Sequence, residues 1–138
     1  MSGTYTLLVE LPDPATVGFG AVGDRDLPAG WYAYTGSAFG PGGFARVDRH
    51  RRVASGDHDA RHWHVDYLLG HPGSDVGAVE RTEGADVECA VARRLADAAT
   101  PVRGVGASDC DCGTHLVHCP DRDRLARAVR GAHRNAVE

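Results

Sequence analysis

The chain opens with a clear alternation of faces. Across Thr4–Leu11, Tyr5, Leu7 and Val9 fall on one side and Thr6, Leu8 and Glu10 on the other. A period of two is the mark of a pleated strand. Pro12, Asp13 and Pro14 stop it, because proline cannot extend a hydrogen-bonded ladder. Thr16–Val22 reads as a weaker second strand, and Gly30–Ser37, rich in aromatic residues and closed by Gly36, as a third. Gly40-Pro41-Gly42-Gly43 is a turn that launches a helix from about Gly43 to Ala54. A short helix at His62–Leu69 ends at Gly70-His71-Pro72-Gly73, and a strand follows at Asp75–Arg81. Asp86 is placed to cap a helix running to about Ala99, with Val91, Leu95 and Ala98 on one face. After a cysteine-rich loop come a short strand near His115–Cys119 and a last helix capped by Asp121, which bears Leu125, Ala128, Val129 and Ala132. Strands come first and helices then interleave with further strands. The pattern therefore predicts an α+β domain, a small antiparallel or mixed β-sheet flanked by helices.

With 138 residues there is room for one hydrophobic core, so a single domain over residues 1–138 is expected. Isoleucine, lysine and glutamine are absent, and all 15 basic residues are arginine. A GC-rich coding bias produces that pattern, and adaptation to salt would add to it. The net charge of −4 does not advertise a polyanion partner, so any nucleic acid must be held by a local arginine patch. No stretch reaches the roughly 20 apolar residues of a membrane span, and Met1–Asp13 lacks the basic start of a secretory signal. Of the four cysteines, Cys110, Cys112 and Cys119 crowd together far from Cys89. That spacing is poor for a disulfide framework and better for a metal site or reduced thiols, so a cytoplasmic location is expected.

The candidate chemistry lies in two clusters and two later residues. Gly3-Thr4-Tyr5 opens the first strand and Tyr34-Thr35-Gly36 lies in the third; Arg46 sits on the first helix and Glu88 in the first turn of a later one. One tyrosine on a strand is ordinarily core, but Tyr, Tyr, Arg, Glu in this order resembles the GIY-YIG nuclease family. Gly43–His50 is similar to the helix that carries the family's arginine, and Glu88 stands where the family places its metal-binding glutamate. More closely, the chain resembles a compact branch of that family. Tyr32–Ala38, His62–Leu69, Glu88-Cys89 and Ser108–Leu116 carry this likeness, which covers nearly everything from Gly3 to His118. Three departures stand against it. Threonine replaces isoleucine in both name-giving motifs, the Tyr5–Tyr34 gap has room for an extra strand, and the sole asparagine after Glu88 is Asn135.

The resemblance implies a metal-dependent endonuclease that hydrolyses nucleic-acid phosphodiester bonds, structure-specific and serving DNA repair or processing. Tyr5 would act as general base, Tyr34 as a hydrogen-bonding partner in the site, and Glu88 as a ligand of Mg²⁺ or Mn²⁺. Arg46 offers a planar, permanently charged fork suited to phosphate oxygens. The residues themselves add to this. Glu88, Val91 and Leu95 share one helical face, as do Arg46, His50 and Val53, so His50 can assist proton transfer or touch phosphate. Gly36 and Ser37 would let backbone approach the substrate. Arg49, Arg51 and Arg52, with His64, are candidates for nucleic-acid contacts. A second site is Cys110, Cys112 and His115, joined by Cys89, whose N and S donors suit tetrahedral Zn²⁺; buried thiols bracing a loop are the alternative. The rival function is a non-catalytic nucleic-acid-binding or scaffolding module with a structural Cys/His metal site. The chain has no separate DNA-reading domain of the kind such nucleases usually carry, so a protein partner, a homodimer or an unusual DNA structure is expected.

Overall fold

The computed structural model describes residues 2–19, 23–39, 43–55, 64–71, 74–102, 104–105 and 114–136, with the backbone alone for Ser55 and His64. The elements in chain order are β1 (Gly3–Leu11), β2 (Ala15–Gly18), β3 (Asp24–Leu27), β4 (Gly30–Ser37), α1 (Ala45–Ser55), α2 (His64–Leu69), β5 (Asp75–Glu83), α3 (Glu88–Ala98), β6 (Thr100–Pro101), β7 (Leu116–Cys119) and α4 (Arg122–Ala136). Five strands form one antiparallel sheet in the order β5-β1-β4-β7-β6, and β2 and β3 pair as a separate hairpin. This is the α+β class that the pattern predicts.

The alternation in β1 works in both directions, because each face of the sheet is covered. Tyr5, Leu7, Val9 and Leu11 join Tyr32 and Tyr34 of β4 in one core, against Val47 and Val53 of α1, Val65, Leu68 and Leu69 of α2, and Val17, Phe19 and Leu27 around the hairpin. Leu8 and Ala33 point the other way, onto Val91 and Leu95 of α3 and Leu125, Val129 and Ala132 of α4. The result is a sheet between two helical layers. The second layer also holds a buried polar chain. His133 Nε2 lies 2.7 Å from Thr6 Oγ1, His133 Nδ1 lies 2.7 Å from Thr82 Oγ1, and Thr6 and Thr35 share a hydrogen bond of 3.0 Å. Burial drives the His133 pKa down to about 4, since an imidazolium would lose its hydration there.

Several elements differ from the sequence expectation. The weak strand foreseen at Thr16–Val22 is a shorter β2 paired to β3, whose Asp-Arg-Asp sequence gave no strand signal. The two-residue β6, which ends in proline at the sheet edge, was also not foreseen. Asp86 does not cap α3: Val87 occupies the cap position and makes no side-chain cap bond. Thr4 performs that service from the neighbouring strand, since its hydroxyl accepts from Val87 N at 3.0 Å and donates to Ala85 O at 3.0 Å. Asp121 does cap α4, accepting from the backbone N of Asp123 at 3.0 Å and of Arg124 at 3.2 Å. Gly77 falls at a bulge between β1 and β5, where an added Cβ would lie 2.7 Å from the Trp31 ring. Among the described residues no helix is long and apolar enough to cross a membrane.

Candidate active site

The register of β1 against β4 sets Tyr5 directly opposite Gly36. The two share a face, so the tyrosine ring lies over the space a side chain at 36 would fill. A Cβ built on Gly36 would stand 2.5 Å from Tyr5 Oη. The hydroxyl turns instead to α1 and lies 2.8 Å from His50 Nε2. His50 is fully buried, because α1 presents Val47, His50 and Val53 to the sheet on one face. Its Nδ1 lies 3.3 Å from Asp66 Oδ1 on α2, and Asp66 Oδ2 accepts from Arg49 Nη2 at 3.1 Å. Asp66 is itself fully buried, a position a carboxylate holds only when its charge is matched. With its proton on Nδ1, His50 fits both neighbours, donating to Asp66 and accepting from Tyr5. Tyr34 packs edge-on to the same imidazole, with ring centroids 6.3 Å apart.

Tyr5 is a phenol in this resting arrangement. Burial raises its pKa above the ordinary tyrosine value. Of the charges around it Arg46 acts most strongly, drawing the pKa down; Glu88 and Asp66 push it up and Arg49 draws it down. Four charged groups from three helices therefore converge on one hydroxyl. Burial raises Tyr34 as well, with Tyr5 and Glu88 adding to the effect. Arg46 is tied to the end of β4 by a 2.7 Å bond from Nη1 to the Ser37 carbonyl.

Glu88 begins α3, whose entry Thr4 holds, and its Oε2 lies 3.6 Å from His115 Nδ1. His115 is buried. Its backbone N donates to Val105 O at 2.8 Å, and its carbonyl accepts from Thr35 N at 3.0 Å. Burial lowers its pKa below the ordinary histidine value. Ligand atoms of Glu88, Cys89 and His115 all lie within 4.8 Å of one another. The quarter-exposed Glu88 carboxylate fits Mg²⁺, an ion that takes one or two protein carboxylates and completes its shell with water and phosphate.

The structure thus gathers Tyr5, Tyr34, Gly36, Arg46, His50 and Glu88 around one point, with the Ser37 carbonyl anchoring the arginine. Arg49 is turned inward onto Asp66 and is 14 % exposed, whereas Arg51 and Arg52 are exposed on α1. Cys110 and Cys112 lie outside the described residues, as does the His64 side chain. Cys89 corrects the expectation of reduced thiols: it is disulfide-bonded. The sequence groups Cys89 with His115, and the structure brings these two together at the start of α3, with Glu88 beside them. Asp66 was missed. Its signal was a lone acid in a six-residue helix of otherwise mostly apolar residues. A second basic surface also went unread: Arg124, Arg127, Arg130 and Arg134 are exposed along α4.

A family model described as "Domain of unknown function DUF123" matches residues 4–138. No curated protein and no solved structure is detectably similar to the chain.

Proposed function

This chain belongs to the family described as domain of unknown function DUF123, and from that footing we propose that it is a metal-dependent endonuclease of GIY-YIG type, hydrolysing nucleic-acid phosphodiester bonds. The observation that carries the reading is the line of contacts from Tyr5 through His50 to Asp66 and Arg49. A structural tyrosine needs no such backing; a tyrosine that must give up a proton does.

Phosphodiester hydrolysis needs a water stripped of its proton and positive charge at the phosphate. A free phenol near pKa 10 is ionised about one part in a thousand at pH 7, and burial makes Tyr5 harder still to ionise. A standing tyrosinate is therefore excluded as the base. Instead the attacking water passes its proton to Tyr5 Oη as Tyr5 passes its own to His50 Nε2. The imidazolium that results faces the Asp66 carboxylate, which Arg49 holds in place. Arg46, the cation with the strongest effect on Tyr5, meets the negative charge that grows on the phosphate. Gly36 leaves the approach to Tyr5 clear of side-chain atoms. Glu88 would hold Mg²⁺ or Mn²⁺, which supplies Lewis-acid charge at the phosphate. Arg51 and Arg52, exposed on α1, supply local positive charge that the net charge of −4 does not. DNA is the first candidate substrate, engaged with a protein partner or as a homodimer.

The test is cleavage of a panel of branched, flapped and single-stranded DNA and RNA with Mg²⁺ or Mn²⁺, at low and high salt. Wild type is run beside Tyr5→Phe and Glu88→Ala. Metal-dependent cutting lost in both variants is the expected result. A second reading, a nucleic-acid-binding or scaffolding module with a structural metal, draws on the acidic net charge and on the closeness of Glu88 and His115. It gains if folded wild type cuts nothing while binding survives in Glu88→Ala.

A further inference from the structure

Glu88 has a second set of neighbours, and they are not oxygen donors. We propose that reduction of the Cys89 disulfide completes a three-ligand site for a soft divalent cation, Zn²⁺ by chemical class, on Glu88, Cys89 and His115. Occupation of that site withdraws Glu88 from the oxygen-ligand role proposed above, so the redox state of Cys89 and the supply of zinc together regulate hydrolysis. The regulatory half rests on the nuclease reading; the metal site does not.

Two features carry the site. The first is geometry. In a tetrahedral zinc site with bonds of about 2.0 to 2.3 Å, neighbouring ligand atoms are about 3.3 to 3.8 Å apart. Glu88 Oε2 and His115 Nδ1 stand 3.6 Å apart, too far for a good hydrogen bond and right for two ligands of one ion. The Cys89 sulfur completes a triangle in which no ligand pair exceeds 4.8 Å. His115 is held for this by its own backbone, fixed between Val105 and Thr35. The second is donor chemistry. Carboxylate, imidazole and thiolate form a mixed set that selects zinc over Mg²⁺, which keeps to oxygen. Three protein ligands leave the fourth position open, as in zinc sites that exchange water.

Cys89 cannot serve while oxidised, because its sulfur is committed to the disulfide. The step that frees it balances simply. A dithiol gives two electrons and two protons to the disulfide, both cysteine sulfurs become thiols, and the dithiol closes to its own disulfide. On binding zinc the Cys89 thiol releases its proton to solvent. Oxidation with loss of zinc reverses the sequence and returns Glu88 to the catalytic metal.

The test uses the full chain, oxidised or reduced with dithiothreitol that is then removed under anaerobic conditions. Zn²⁺ binding is measured against a chromogenic chelator, and Co²⁺ is added as a spectroscopic probe. The expected result is one zinc per reduced chain, little for the oxidised chain, and a thiolate-to-cobalt charge-transfer band absent in Cys89→Ser. His115→Gln, checked for folding by circular dichroism, should also lose stoichiometric binding. Equal binding by oxidised and reduced protein, no zinc on the reduced protein, or a band that survives in Cys89→Ser would each overturn the site. Zinc added to reduced protein should suppress Mg²⁺-dependent cleavage. If zinc binds as expected and no substrate is ever cut, the nuclease reading has failed and the metal site stands.

Discussion

Acid should weaken this fold through one histidine. His133 is buried in α4 between two threonine hydroxyls, each 2.7 Å away, and its pKa is held at about 4. In the unfolded chain the same ring titrates near 6.5. Between those values the unfolded state binds a proton that the native state refuses. The neutral ring therefore contributes stability that is fully present above pH 6.5 and is lost as pH falls from there toward 4. At about 1.4 kcal/mol per tenfold step in proton affinity, the full gap amounts to about 3 kcal/mol, a large part of the roughly 5 to 15 kcal/mol that holds a domain folded. Urea unfolding at pH 7.5 and pH 4.5 measures it, with His133→Gln as the comparison. Glutamine keeps a donor and an acceptor but does not titrate. Wild type should lose roughly 2 to 3 kcal/mol more than the variant between the two pH values. Taking the difference removes the contributions of carboxylates and of His115, which both proteins share. Parallel losses in the two proteins would refute the reasoning.

Three further outcomes are expected. Gly36→Ala puts a methyl 2.5 Å from the Tyr5 hydroxyl, so cleavage should vanish and the fold should lose about 1 to 3 kcal/mol by thermal melt; full activity with an unchanged melt would contradict the packing described. Asp66→Asn keeps the shape but removes the charge that orients His50 and balances an imidazolium. The cleavage rate should fall by roughly 10² to 10⁴ with metal affinity unaltered, and a rate within threefold of wild type would rule out the relay. The arginines of α1 should separate by role: Arg49→Ala removes one of the charge partners of the buried Asp66 carboxylate and should destabilise by about 3 to 5 kcal/mol, whereas Arg51→Ala, exposed on α1, should leave the melt unchanged and lower the salt slope of nucleic-acid binding by about one.

What the sequence disclosed and what it hid divide along a physical line. Strand β1 and the helix α4 were legible because their signals are local, an alternation and a cap. Tyr5, Tyr34, Arg46 and Glu88 stood out through their order along the chain, although order carries no distances. Asp66 was hidden because its burial is decided by where α2 docks, not by its immediate neighbours Val65 and Tyr67. His133 is hidden for the same reason: the apolar stripe of α4 does not show which polar side chain it carries inward. The β2–β3 hairpin offered no clear signal, since Asp24 and Asp26 disfavour a strand and a cross-strand bond from Thr16 to Asp26 contributes to holding it. The Cys89 disulfide runs against the cysteine spacing, which favours a metal site or reduced thiols.

The opposite facings of Tyr5 and Thr6 have a consequence for how the chain finds its structure. A slip of β1 by one residue would exchange every side chain between the two helical layers. In most sheets such a slip is penalised by exposing or burying the wrong hydrophobic groups. Here both layers are apolar, so that penalty alone would be weak and a misaligned sheet could persist as a trap. The polar groups remove the ambiguity. A slipped strand would turn the hydroxyls of Thr4 and Thr6 into the apolar core that holds Tyr5 and Leu7, leave Thr6 away from His133, and leave the entry to α3 without the threonine that holds it. The same side chains proposed to serve hydrolysis on one face and to brace α4 on the other thus act as alignment marks during folding, and they leave the chain few competing arrangements in which to stall.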